Sequence, residues 1–125
     1  MEKLTDYIEQ LKDIDKIRWE STVSDKGILS FPFPVYPKAV IEFQDAFYSS
    51  DEFKDFNYKN NMNENGWYDI DKMEKDIPSM TKNNIATCIT AIIRGERFCD
   101  GRIAQFIKNG ILVKLLERLN EIEKD

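Results

Sequence analysis

The sequence predicts a mainly α, single compact domain over residues 1–125, with about five to seven helices and one short β-hairpin near residues 17–33. Three observations lead there. Apolar residues recur at helical spacing along most of the chain. One interval, 17–33, changes to alternation of apolar and polar residues. The 5 glycines and 4 prolines mark segment ends, and no long linker, repeat or low-complexity tract divides the sequence. A chain of 125 residues can bury one sizeable core without metal or disulfide staples.

Leu4, Tyr7, Ile8, Leu11 and Ile14 follow the i, i+3, i+4, i+7 pattern, which predicts an amphipathic helix over 3–16. From Ile17 the period becomes two: Ile17, Trp19, Ser21 and Val23 alternate with polar neighbours, Ser24-Asp25-Lys26-Gly27 supplies a turn, and Leu29, Phe31 and Phe33 alternate again. Pro32 and Pro34 cannot donate to a ladder, so the second strand is expected to be a short edge ending near Phe31. Pro37 suits a first helical position, and Val40, Phe43 and Phe47 give an apolar face over 37–48. Ser49-Ser50-Asp51-Glu52 has the form of a capping box, with Phe53 and Phe56 behind it. Asn60-Asn61-Met62-Asn63-Glu64-Asn65-Gly66 reads as a loop, since asparagine and glycine favour turns.

Ile70, Met73 and Ile77 predict a short helix halted by Pro78. Thr81 is placed to cap the next helix, which carries Ile85, Cys88, Ile89 and Ile92 and ends at Gly95; it is expected to be central. Asp100 is expected as the N-cap of a segment with Ile103, Phe106 and Ile107, closed by Asn109-Gly110. The final helix sets Leu112, Leu115, Leu116, Leu119 and Ile122 on one face.

Composition narrows the chemistry. The chain has no histidine, which removes Ser-His and Cys-His catalysis and the usual zinc ligand sets. Cys88 falls on an apolar stripe and Cys99 lies beside Arg97 and Asp100; two thiols make no disulfide framework. No apolar run approaches the length of a membrane span, and Met1-Glu2-Lys3-Leu4-Thr5-Asp6 lacks the pattern of a secretory signal, so a cytoplasmic protein without membrane contact is expected. Neither a cofactor nor a metal is implied. The net charge of −5 argues against nucleic acid as a partner, although all arginines but Arg18 lie from position 94 onward.

Most of the aromatic residues lie between Phe31 and Tyr68, and helical spacing assigns most of them to the core. Tyr58, Trp67 and Tyr68 form the candidate interaction surface, with Trp67 and Tyr68 expected to be exposed after the polar loop. The other candidate is the charged seam between two strongly apolar helical segments, Arg94-Gly95-Glu96-Arg97-Phe98-Cys99-Asp100-Gly101. It admits two readings: a purely structural network, or an anion-binding recess made by Arg94, Arg97 and the amides that begin the next helix. Arg94, Glu96, Arg97, Asp100 and Arg102 are the candidate ligand-binding residues, and no catalytic set is complete.

The run at 94–101, followed by Gly-Ile-Leu-Val-Lys-Leu-Leu-Glu-Arg-Leu at 110–119, resembles the hallmark of a bacterial family known only as a domain of unknown function. The resemblance is centred on 84–120, with looser agreement around Pro34 and Tyr36. It implies a small, mainly helical domain and transfers no activity, cofactor or catalytic residue. The leading expectation is a non-enzymatic interaction or regulatory domain that meets a protein partner or a second copy of itself. The alternative is a small-ligand or phosphate-ester site around Arg94–Asp100, with Glu96 or Asp100 as base, acid or metal ligand.

Overall fold

The computed structural model describes residues 4–14, 18–20, 33–50, 58–96 and 101–124. Among these, seven α-helices share one continuous hydrophobic core, and a short antiparallel ladder lies beside them. The mainly α fold predicted from apolar periodicity is therefore the fold observed.

A 3-10 turn at Leu4–Tyr7 leads into α1, Ile8–Lys12. The helix expected over 3–16 is thus shorter and tighter at its start, yet its buried residues are the periodic ones, Leu4, Tyr7, Ile8 and Leu11. Tyr7 meets Phe43 edge to face at 5.9 Å between ring centres, which ties this turn to α2, Lys38–Ser49. Pro37, in extended conformation, is the N-cap of α2. Between α1 and α2, β1 (Arg18–Glu20) pairs antiparallel with β2 (Phe33–Val35), with Trp19 opposite Pro34. The second strand therefore lies beyond Phe31 and contains a proline. A ladder of two strands has a free edge on each side, where a residue without an N–H is tolerated. The predicted turn at Ser24–Gly27 lies outside the described residues, as do Asp51, Glu52, Phe53 and Phe56.

The largest departure is α3, Tyr58–Asn65, a helix where the run of asparagines predicts a loop. Tertiary packing overrides the low propensity of that run. Met62 is 2% exposed against the core, Asn65 Nδ2 donates to Asn61 O at 2.8 Å, and Asn61 Nδ2 donates to Thr87 Oγ1 at 3.4 Å. Gly66, at φ +71, then ends the helix, and Trp67 turns inward to 4% exposure instead of facing solvent. Tyr68, at 55%, is exposed as expected.

Asp69 caps α4, Ile70–Asp76, accepting from the backbone N–H groups of Asp71 and Lys72 at 3.0 and 3.4 Å. After a 3-10 turn at Ile77–Ser79 holding Pro78, Thr81 and Asn84 form a reciprocal capping box for α5, Lys82–Gly95. Residues 85–90 of α5 are all buried, and the helix packs against α3, α6 (Arg102–Lys108) and α7 (Ile111–Lys124), as a central helix must. Its two buried hydroxyls are satisfied within the helix: Thr87 Oγ1 donates to Asn83 O and Thr90 Oγ1 to Ala86 O, at 2.9 and 2.7 Å. Burial pushes the Cys88 thiol up to about 12, with the negative charge of Asp76 adding to the effect, so this sulfur is a core atom and an inert nucleophile at neutral pH. Asn109 and Gly110 (φ +79) separate α6 from α7, and Asn109 Oδ1 accepts from Ile111 N at 3.0 Å.

The helical assignment of α3 has a direct test. Met62→Ala is expected to cost about 2–4 kcal/mol in urea unfolding, as a buried methionine does. Asn63→Ala, on the exposed face of the same helix, is expected to gain a few tenths of a kcal/mol from propensity. Loss of stability at Asn63 would contradict the helix.

Candidate functional site

The seam begins where α5 ends. Arg94 is half-buried, and its guanidinium carbon lies 5.6 Å from the centre of the Tyr58 ring, a cation–π contact between α5 and α3. Glu96 is the C-cap residue of α5 and half-buried. Its carboxylate turns toward α6: Oε2 accepts from Gly101 N at 2.7 Å, and Oε1 accepts from Ile103 N at 2.9 Å and from the Tyr36 hydroxyl at 2.5 Å. The Tyr36 oxygen in turn accepts from Ala104 N at 3.2 Å.

These contacts carry out a cap that the local sequence does not supply. The residue at the N-cap position of α6 is Gly101, at φ +95, in place of the expected Asp100, and it has no side chain with which to bind the free amides of the first turn. Glu96 reaches from the preceding helix to take two of them, and Tyr36 reaches from the segment after β2 to take a third. A carboxylate at a helix start also meets the positive end of the helix dipole. Anion recognition by these amides is therefore already satisfied within the chain. Arg97 and Asp100 lie outside the described residues.

Arg102, the first residue of α6, is half-buried, and among the described residues it has no hydrogen-bonded or ion-pair partner. Its stem lies across the end of α5. A Cβ added at Gly95 would fall 3.1 Å from Arg102 Cγ and 3.3 Å from its Nε, so only glycine leaves the arginine in this position undisturbed.

Arg102 and Gly95 form one side of a cavity of about 340 Å³. Met62, Trp67, Met73, Ile92 and Phe106 are its buried floor, while Tyr58, Tyr68, Ile70 and Ala91 build its walls and rim. Lys59 and Arg102 are the charged lining residues, and no acid is among them. Two groups that are separate in the sequence meet here: the aromatic residues Tyr58, Trp67 and Tyr68, and Arg102 from the seam. Arg94 and Glu96 are not among its lining residues: Arg94 is against the Tyr58 ring and Glu96 is bound to the first-turn amides of α6.

Trp67 is a fixed part of the cavity. Its indole N–H donates to Asp76 Oδ2 at 3.0 Å, and the same oxygen is paired with Lys72 at 2.7 Å. The hydrogen bonds from Lys72 and then from Trp67 hold the Asp76 carboxyl below the usual carboxylate value. Other ion pairs among the described residues lie elsewhere, among them Lys12 with Glu117, Lys38 with Glu42, Lys114 with Glu74, and Arg118 with Glu121. Among the described residues no group of acids and cysteines is arranged to hold a metal ion, and no described helix is long and apolar enough to cross a membrane.

Tyr36, Lys59, Met62 and Gly95 are the contributors that sequence reasoning missed as site residues. A side chain reaching 60 positions along the chain, as Tyr36 does, leaves no local signal. The polar setting of Met62 conceals its helix, and Gly95 reads as an ordinary helix end.

The chain belongs to DUF6508, a family of unknown function, which it matches over residues 1–125. No curated protein and no solved structure matches it.

The depressed Asp76 carboxyl fixes a pH expectation. The charged form and its bond to Trp67 persist as pH falls past the ordinary value of 3.8, and are lost only on passing the lower folded value. The Trp67 indole N–H resonance, followed by NMR, is therefore expected to move with a midpoint below 3.8. A midpoint at or above that value contradicts the arrangement.

Proposed function

We propose that this is a non-enzymatic interaction or regulatory domain, and that it engages what it binds through the cavity between α3, α4, α5 and α6. The observation that carries this reading is the convergence of Tyr58, Trp67 and Tyr68 with Arg102 around one concave surface of about 340 Å³. That combination of apolar walls and a few convergent polar groups is how binding sites are commonly built. Tyr68 stands exposed at the rim, where an occupant would cover it.

The state of the reactive groups favours binding over catalysis. Glu96 has both oxygens engaged in capping α6, and using it as a base would take apart the start of that helix. Cys88 is buried and its thiol is held protonated. Asp76 is committed to Lys72 and Trp67. A phosphate-ester enzyme centred on Arg94–Asp100 would need Glu96 released from three hydrogen bonds and the α6 amides vacated.

A set of small, rule-of-three fragments screened by NMR tests this reading. Hits are expected to shift the Trp67 indole N–H and the backbone signals of Ala91 and Gly95, to leave Ile41 and Tyr48 unshifted, and to be recovered chemically unchanged. A screen in which no fragment perturbs the cavity, or in which hits gather on the exposed face of α2 at Ile41 and Tyr48, overturns it.

A further inference from the structure

We infer that the cavity is built for a planar aromatic carboxylate of one or two fused rings, with the rings among Tyr58, Tyr68 and Trp67 and the carboxylate on Arg102. This rests on the binding role proposed above and names the chemistry of the occupant.

Size sets the first limit. A cavity of about 340 Å³ lies at the small end of ligand sites, which suits one or two rings and leaves no room for a folded polymer segment. Charge sets the second. The lining contains two cations, Lys59 and Arg102, and no acid, within a chain whose net charge is −5. A cation that is half-buried without an ionic partner among the described residues favours an anion that brings its own apolar body. The guanidinium fork of arginine fits a carboxylate through two parallel hydrogen bonds.

Arg102 is also held ready for that contact. The amides on either side of it, Gly101 N and Ile103 N, are both fixed by Glu96, so its backbone is pinned at two points. Gly95 clears the space in which its stem lies. A backbone fixed before binding leaves only the side chain to be ordered when the ligand arrives.

The same geometry selects carboxylate over phosphate. A phosphate group seeks several donors at once, and the amides of Gly101 and Ile103 on either side of Arg102 are already bound to Glu96. With those amides taken, the lining supplies the Arg102 fork and the exposed Lys59 as its charged donors, which match one carboxylate.

The test is an NMR titration of the full chain with 2-naphthoate, 2-naphthamide and 2-naphthyl phosphate, reading the Trp67 indole N–H. Naphthoate is expected to bind saturably and at least about tenfold more tightly than the neutral amide, as a charge-assisted pair requires. Arg102→Gln is expected to remove that advantage while leaving amide binding unchanged, with urea unfolding confirming that the variant is folded. Gly95→Ala, which keeps every charge but displaces the arginine, is expected to weaken naphthoate several-fold and the amide little. Equal affinity for acid and amide, or indifference to Arg102→Gln, overturns the carboxylate assignment and leaves the cavity as a neutral site. Tighter binding of the phosphate overturns it in favour of phosphate esters. If none of the three probes binds while fragments do reach the cavity, the inferred class is wrong and the binding role stands; if nothing binds there at all, both fall.

Discussion

The arrangement depends on how the start of α6 is capped. Gly101 occupies the N-cap position in a left-handed conformation and has no side chain to offer, so the free amides of the first turn must find acceptors elsewhere. Glu96 supplies them from the end of α5, and Tyr36 completes the set from the chain following β2. The end of α5 and the start of α6 are thereby joined at one half-buried point to a segment about 60 residues earlier in the chain. Each charge-assisted bond of this kind is worth about 1.5–3 kcal/mol, whereas an exposed ion pair such as Lys38 with Glu42 contributes less than about 1 kcal/mol.

That cap also decides what the seam can do. With its carboxylate turned inward, Glu96 is withdrawn from chemistry, and the α6 amides are withdrawn from external anions. Arg102 lies between the two pinned amides and lines the cavity together with residues of α3, α4 and α5. Glu96 of the charged seam thus holds the fold, while Arg102, the residue that follows the seam, lines the cavity. Trp67, held by its bond to Asp76, is a fixed part of the cavity floor.

The sequence made the helices with strong apolar periodicity legible. Ile85, Cys88, Ile89 and Ile92 of α5 and Leu112, Leu115, Leu116 and Leu119 of α7 are buried as their spacing requires, and Thr81 caps α5 as its position suggests. What it concealed were features decided by contacts distant along the chain. The asparagine run of α3 has poor helical propensity, and only its packing against α5, through Met62 and Asn61, makes it helical. Because that helix forms, Trp67 falls at its inward-turning end and is buried, while a loop would have left it exposed. Tyr36 lies between two prolines, where the family resemblance is loose and no periodicity assigns it a partner, yet it reaches Glu96. The seam was recognisable as unusual from its residue types, but the split between Glu96 and Arg102 follows from the direction each side chain takes, and spacing carries no such information.

A double-mutant cycle on Tyr36→Phe and Glu96→Gln, measured by urea unfolding, tests the cap most directly. Each single change is expected to cost about 1–3 kcal/mol, because each leaves a half-buried partner without its bond. The pair is expected to cost less than the sum by about 1 kcal/mol or more, as residues sharing one network do. Single losses within about 0.5 kcal/mol of zero, or additive losses with no coupling, would contradict the claim that this carboxylate and this hydroxyl together hold α6 against α5.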